Sequence, residues 1–409
     1  MGNLEAFERD RLGFMRDVHQ RFGPVVAFDR RTTLLADPEM IAKVLRSPSV
    51  GIPHDVLLRP VGRQQARDLA SVKLLLSPVI RRSQSYEVGP LVNDELGAAV
   101  RRCVRHGPSS GTLEVEPVTF LEPVISAAVN TYFFGPIDGA HIAPRVSTLL
   151  NDLSRLIGNP LAPPASWRTP LRRRIETQYE ALSTVVAAVL GQRRADAASD
   201  VATRIITQRQ SRNHSPRFIA QMLVGAALAA QRVPAAAAAW MLHLIASNPQ
   251  VQERIRTYGA ARGCDRTNTY VQAVALESLR LYPSTWLLQR TVEEPLLMAG
   301  HTFEPGHTIL MSPYVVQRTQ EYFERPDEFL PARWLRANSL RIARSGSMPF
   351  GDGIRVCPGR HIAAQVLVTV AEKVCDQYDL VETSSNVLAD PRTTLLPVGS
   401  RLLFRPLAS

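Results

Sequence analysis

Hydrophobic periodicity divides the chain into a mixed start, a long helical middle and a mixed end. Val25-Val26-Ala27-Phe28 and Thr32-Thr33-Leu34-Leu35 flank a charged turn, Asp29-Arg30-Arg31, which predicts a β-hairpin. Asp37-Pro38-Glu39 then sets a capping residue, a first-turn proline and an acid ahead of a helix through Leu45. From about residue 85 to 260 the apolar spacing is mostly helical, with Pro/Gly breaks near 135, 160–170 and 214–216. The most apolar stretch, Phe218 to Ala246, carries Gln231, Arg232, Pro234 and His243. A charge and a proline at its middle predict a buried helix, kinked or widened at Pro234, rather than a membrane span. Asn159–Pro164 reads as a surface loop or lid. After Pro283 come short β-like runs, Pro295–Met298 and His307–Met311, then a Gly/Pro-rich segment, Met348–Gly359, and an apolar helix, Ile362–Val374. The prediction is a mainly α fold with a small β-rich portion. No repeat and no linker divides it, so residues 1–409 read as a single domain.

Composition narrows the class. Of the 409 residues, 45% are hydrophobic and 21% charged, which fits a soluble globular protein and excludes a disordered one. Four cysteines are too few for a disulfide scaffold and suit a reducing cytoplasm. Met1 to Arg11 has no apolar signal core, and Ala6 stands where an acylation motif needs Ser or Thr. A cytoplasmic protein without a membrane span is expected. The formal charge is +11, yet only Lys43, Lys73 and Lys373 are lysines, against 45 arginines. That skew is most simply a GC-rich genome. Runs such as Arg172–Arg174 lack interleaved aromatics and read as solvated helix faces, so no nucleic-acid partner is expected.

The chemistry concentrates in Phe350-Gly351-Asp352-Gly353-Ile354-Arg355-Val356-Cys357-Pro358-Gly359. Three glycines around one cysteine allow backbone conformations that side chains forbid, and let a flat ligand approach closely. A helix beginning just after Cys357 favours a thiolate, and Arg355 adds positive charge or grips a carboxylate. One thiolate without a CxxC partner makes a poor zinc site but a sufficient axial ligand for haem iron. Cys103, Cys264 and Cys375 lack such surroundings and read as ordinary free cysteines.

Phe350-Gly-x-Gly-x-Arg355-x-Cys357-x-Gly359 resembles the haem-binding loop of the cytochrome P-450 family, the haem-thiolate monooxygenases. The resemblance implies that Cys357 is the proximal ligand of haem b, Arg355 pairs with a propionate, and Phe350 packs beside the sulfur, with Gly351 and Gly359 completing the loop. Glu277-Ser278-Leu279-Arg280 resembles the family's ExxR helix, and Phe329-Leu330-Pro331-Ala332-Arg333-Trp334 its Pro-x-Arg segment. Glu277, Arg280 and Arg333 are then expected to form a buried ion network that stands or falls together. Arg290 resembles a second propionate contact and Lys73 a third. The similarity runs over almost the whole chain and implies the cytochrome P-450 fold, with haem between the long central helix and the cysteine loop. Its distal space is then lined by Gly51–Arg67, the central helix from Leu223 to Val233, Ser284–Gln289 and Leu395–Ser400.

One departure stands out. The family's central helix usually carries (Ala/Gly)-Gly-x-(Asp/Glu)-Thr, whose acid and alcohol deliver protons during oxygen activation. Counting from Trp240 places Ala229-Ala230-Gln231-Arg232-Val233 there, so Arg232 replaces the acid and Val233 the alcohol. Valine cannot donate, and arginine stays protonated. Three chemistries fit. In the first, a substrate hydroxyl or ordered water supplies the proton for ordinary monooxygenation. In the second, Arg232 holds a substrate carboxylate for a peroxide-driven hydroxylase or decarboxylase, although one residue separates it from Pro234 where the peroxygenase branch has Arg-Pro. The third is atypical oxidation such as ring coupling or desaturation. A non-catalytic haem-binding protein is the alternative of another class.

The resemblance also implies partners. These are a lipophilic, secondary-metabolite substrate, O2, and a separate iron–sulfur ferredoxin with its NAD(P)H reductase. Arg341, Arg344 and Arg360 flank the cysteine loop and are candidates for a positive face toward an acidic ferredoxin.

Overall fold

The computed structural model describes residues 2–51, 69–106, 112–158, 167–193, 200–260, 270–298, 300–335, 346–353 and 356–407. The segment 52–67, the Asn159–Pro164 loop, Cys264, Arg341, Arg344 and Arg355 lie outside the described residues, as does the side chain of Lys73. The architecture is mainly α with small β-sheets. Contacts divide the chain into two compact units, Met1–Val56 with Gln272–Cys357, and Leu57–Val271 with Pro358–Ser409.

The first unit is built on a five-stranded sheet. The predicted hairpin forms as Val25–Asp29 against Thr32–Leu35. Thr32–Leu35 then pairs in parallel with Thr308–Met311, which pairs antiparallel with Leu288–Val292, and Val50–Gly51 closes the edge. The Pro38–Arg46 helix starts where expected, because Asp37 accepts the Met40 N–H at 2.7 Å and Pro38 occupies the first turn. Its apolar face buries Ile41, Val44 and Leu45, while Leu34, Leu35, Ile309 and Met311 are buried on the sheet.

The strongest constraint in this unit is polar. Glu277 and Arg280 sit one turn apart near the end of the Tyr270–Leu281 helix, and both side chains have 0% exposure. Arg280 donates from Nε and Nη2 to the two Glu277 carboxylate oxygens, each at 2.9 Å. Glu277 also accepts Arg333 Nε at 2.9 Å, Trp334 Nε1 at 2.8 Å and the Leu330 N–H at 2.9 Å. The rest of the Arg280 guanidinium donates to the carbonyls of Gln317, Pro326 and Glu328, and Arg333 donates to those of Glu324 and Arg325. An isolated buried carboxylate would be severely penalised; five donors and two cations remove that penalty here. The expected network is therefore present, and it folds the irregular 317–334 segment around itself.

The second unit is a helical assembly. Pro117–Phe134, Pro136–Gly158, Pro170–Gln192 and Pro216–Ala229 each begin with proline, whose missing N–H is harmless in the first turn. Gly135, at φ +77°, ends the first of these helices, as the break near 135 predicted. Thr169 and Ser215 cap the third and fourth. The central apolar stretch is two helices, Pro216–Ala229 and Arg232–Ala246, separated by a turn at Ala230-Gln231. The break falls just before Pro234 for a physical reason. Pro234 has no N–H for the Ala230 carbonyl four residues back, and its ring crowds that carbonyl. Pro216–Ala246 is also the one stretch among the described residues long and apolar enough to cross a membrane, but most of it is buried within the protein.

The C-terminal helix runs Arg360–Gln377, longer at both ends than Ile362–Val374. A three-stranded antiparallel sheet, Leu113–Val115, Leu402–Pro406 and Tyr378–Glu382, closes the unit with the Leu388–Asp390/Leu396–Val398 hairpin. Trp240, fully buried, donates its indole N–H to the Leu395 carbonyl at 3.1 Å, tying the central helix to that hairpin.

Replacing Glu277 by Gln keeps the shape and strands two buried cations. Urea unfolding of Glu277→Gln is expected to show a loss of roughly 3–5 kcal/mol. A loss below about 1 kcal/mol, the range of an exposed pair, would contradict this description of the network.

Candidate functional site

The glycine-rich loop closes on itself. The Cys357 N–H donates to the Phe350 carbonyl at 2.9 Å, Val356 N–H to Gly353 at 3.3 Å, and Gly351 N–H to Met348 at 3.1 Å. Gly351 and Gly353 both have φ +70°, a conformation that side chains rarely adopt. A Cβ on Gly353 would collide with the Leu45 carbonyl, so the loop backbone lies directly on the end of the Pro38–Arg46 helix. Asp352 receives Arg46 at 2.6 Å beside this contact. At the other end of the loop, Met348 N–H donates to Gln317 Oε1 at 3.1 Å. Gln317 is itself buried, donates from Nε2 to the Arg280 carbonyl at 3.0 Å, and accepts Arg280 Nη1 on its own carbonyl at 2.7 Å. One side chain thus links the ion network to the cysteine loop.

Cys357 is half-buried in this loop. The other described cysteines are helical: Cys103 in Val88–His106, and Cys375 deep in Arg360–Gln377. Burial pushes the Cys375 thiol up to about 12, against a smaller opposing effect of Arg256, so it stays protonated and cannot serve as a thiolate. No three His, Cys, Asp or Glu side chains gather to hold a metal ion among the described residues. Among the described residues, Cys103 is as exposed as Cys357, but only Cys357 stands on a loop, one whose Gly351 has nothing within 4 Å of where a Cβ would stand. That arrangement fits a flat macrocycle with an axial thiolate. Beyond Cys357 the chain passes through Pro358 to Gly359, which begins the Arg360–Gln377 helix with no side-chain cap on its first N–H groups.

The remaining predicted positions are distributed as follows. Phe350 is half-buried, and its carbonyl is the acceptor that closes the loop. Arg290 lies on Leu288–Val292, is buried, and donates from Nη1 to the Gln289 carbonyl at 2.8 Å. Lys73 lies in the Leu69–Val79 helix.

Arg232 opens the second central helix, and its guanidinium is already engaged. Nε and Nη2 donate to Glu122 Oε1 at 3.1 and 2.8 Å, Nη2 also to Asn151 at 2.8 Å, and Nη1 to Ser154. Its partners lie on the Pro117–Phe134 and Pro136–Gly158 helices, so it is a clamp joining three helices. Val233, by contrast, is 38% exposed on a helix that is otherwise nearly all buried. Sequence reading had no means of finding Glu122, Asn151, Ser154 or Gln317. None belongs to a motif, and each meets its partner through tertiary packing over 31 or more residues.

A sequence model of the family described as Cytochrome P450 matches residues 1–396. A protein named Cytochrome P450 10, from Lymnaea stagnalis, is 30% identical over 207 residues, 47% of this chain and 38% of that protein. Cyclooctatin synthase of Streptomyces melanosporofaciens is 35% identical over 140 residues, 32% of this chain and 30% of the relative. Cyclooctat-9-en-7-ol 5-monooxygenase of the same organism is 24% identical over 383 residues, 87% of this chain and 81% of the relative. The first two matches thus span only about a third of each relative's length. With the family match running over nearly all its length and the glycine-cradled cysteine in place, the chain belongs to the cytochrome P450 family, whose members bind haem iron through a cysteine thiolate.

Proposed function

We propose that this chain acts as one catalytic domain, a cytoplasmic haem-thiolate monooxygenase that oxidises a lipophilic secondary metabolite. It uses O2 and electrons from a separate iron–sulfur ferredoxin and its NAD(P)H reductase. The observation that carries this reading is the loop itself, in which a half-buried Cys357 is closed onto Phe350 and backed by the buried Glu277 network. Cys357 would hold the haem iron through its sulfur, Phe350, Gly351 and Gly359 would form the loop around that sulfur, and Arg355, Arg290 and Lys73 would pair with the haem carboxylates. Haem, when bound, supplies the binding and reductive activation of O2. The two Streptomyces relatives, named for cyclooctatin and cyclooctat-9-en-7-ol, support a lipophilic secondary metabolite as substrate.

The engagement of Arg232 supports ordinary monooxygenation with a proton from water or substrate. Four N–H contacts to Glu122, Asn151 and Ser154 leave this guanidinium poorly placed to anchor a substrate carboxylate, and exchanging Glu122 for a substrate would strand a partly buried acid. Arg232 is therefore assigned to positioning and Val233 to an apolar contact with substrate. Neither moves a proton. Ordered water or the substrate's own hydroxyl takes that part.

Two measurements test this. Reduced protein under carbon monoxide is expected to show the thiolate-haem Soret band, and Cys357→Ala to lose it; haem bound with an unchanged spectrum in that variant would overturn the ligand assignment. For Arg232, turnover driven by ferredoxin and NADPH is compared with turnover driven by hydrogen peroxide on a fatty acid such as laurate. Ferredoxin-driven turnover that survives in Arg232→Ala is expected. Efficient peroxide turnover confined to carboxylates and lost in Arg232→Ala would favour the peroxide-driven hydroxylase instead.

A further inference from the structure

Gln317 has every polar group committed. It follows the short helix Pro313–Val316, is fully buried, and donates its backbone N–H to the Pro313 carbonyl at 2.9 Å. Its own carbonyl accepts Arg280 Nη1 at 2.7 Å, and its side-chain Nε2 donates to the Arg280 carbonyl at 3.0 Å. Its Oε1 accepts the Met348 N–H at 3.1 Å. A backbone N–H can only donate and a carbonyl can only accept, so these two partners fix which way the side-chain amide points. Neither an ionised carboxylate nor an apolar side chain of this length satisfies both at once.

What Gln317 holds is the entry to the cysteine loop. A Cβ on Gly346 would stand 2.8 Å from Val316 Cγ1 and 3.4 Å from Pro38 Cβ, so the chain enters the loop pressed against Pro38, Val316 and Gln317. Met348 is pinned on both sides, its N–H by Gln317 and its carbonyl by the Gly351 N–H at 3.1 Å. Phe350 sits inside that turn, and its carbonyl receives the Cys357 N–H at 2.9 Å. Hydrogen bonds thus run from Arg280 to the cysteine backbone within one compact unit. Asp352 also receives Arg46, but the side chains of that pair are 38% and 66% exposed, and exposed pairs contribute little.

We propose that Gln317 is a positioning residue for Cys357, whose amide sets the register of the loop and through it the presentation of the sulfur. Loss of the amide strands the Met348 N–H and the Arg280 carbonyl in the interior, and the loop relieves that cost by opening toward water. The sulfur then spends part of its time away from the place the closed loop gives it. The hold on the loop stands on the hydrogen bonds above, whereas its effect at iron rests on the function proposed for this chain.

The test compares haem-loaded wild type with Gln317→Met, which removes the amide, and Arg46→Ala, which removes the exposed tie. Hydrogen exchange in peptides covering Met348–Cys357 is expected to quicken about tenfold or more in Gln317→Met, on the order of one lost buried hydrogen bond. Exchange in the Arg360–Gln377 helix is expected to stay unchanged, and Arg46→Ala to behave as wild type throughout. In Gln317→Met alone, the reduced carbon monoxide spectrum should lose thiolate intensity and the reduction potential of the iron should shift. If Gln317→Met does not fold, Gln317→Glu, which keeps an oxygen for the Met348 N–H, is read instead, with the same changes in smaller degree. A Gln317 variant that matches wild type in exchange, band and potential overturns the proposal, as do equal effects from Arg46→Ala. Faster exchange with an unchanged band and potential overturns the effect on the sulfur. A wild type lacking the thiolate band would defeat the proposed function and leave the hold on the loop to be judged from exchange.

Discussion

The cysteine loop depends on a carboxylate removed from water. Glu277 is wholly buried, and its charge is tolerable only because two arginines, an indole and a backbone amide converge on it. Meeting that demand draws Arg333 and Trp334 in from more than fifty residues downstream. It also orders the carbonyls of Gln317, Pro326 and Glu328 around Arg280. Gln317 then carries the constraint onward, holding the Met348 amide at the start of the cysteine loop. Electrostatic demand at one buried atom pair is thereby converted into the placement of a segment that is otherwise irregular and rich in glycine. Networks of this kind are all-or-none, because each half-satisfied state is worse than the complete one.

The second unit applies similar logic to a different end. Pro234 and the polar residues before it deny the central stretch a continuous helix, and two separate devices stabilise the interruption. Arg232 is neutralised by Glu122 and braced by Asn151 and Ser154, which binds three helices together at the start of the second segment. Gln231 turns to Ser126 instead. Adjacent residues thus leave the break toward different partners, and the apolar Val233 follows with a third of its surface accessible. The three residues that open the second helix thus differ in role, a structural cation, a buried amide and a partly exposed valine.

Much of this was legible in the sequence, and the boundary of legibility has physical causes. Elements with local signals were read correctly. Asp37 and Pro38 mark a helix start, Gly135 a helix end, and the charged turn at Asp29–Arg31 a hairpin, because each effect acts within four residues. The network of Glu277, Arg280 and Arg333 was readable because it is tied to fixed local spacings around motifs. The exact course of the central stretch was only partly readable: Pro234 announced a disturbance, but the partner of Gln231 in the break, the Ser126 hydroxyl that donates to it, lies 105 positions away. The C-terminal strands were missed because each is short and half-exposed, with weak alternation, and forms only when Leu402–Pro406 finds partners on both sides. Arg232 illustrates the same limit. Its charge was visible, but whether it faced a substrate or Glu122 was not, since that depends on a residue 110 positions away.

The central claim is that the Glu277-braced loop exists to present one sulfur to iron. Iron-edge X-ray absorption on the purified haem-loaded protein tests it most directly. The account predicts one sulfur scatterer in the iron's inner shell in the wild type and none in Cys357→Ala. An inner shell of nitrogen and oxygen alone in the wild type, or a sulfur that persists without Cys357, would contradict it.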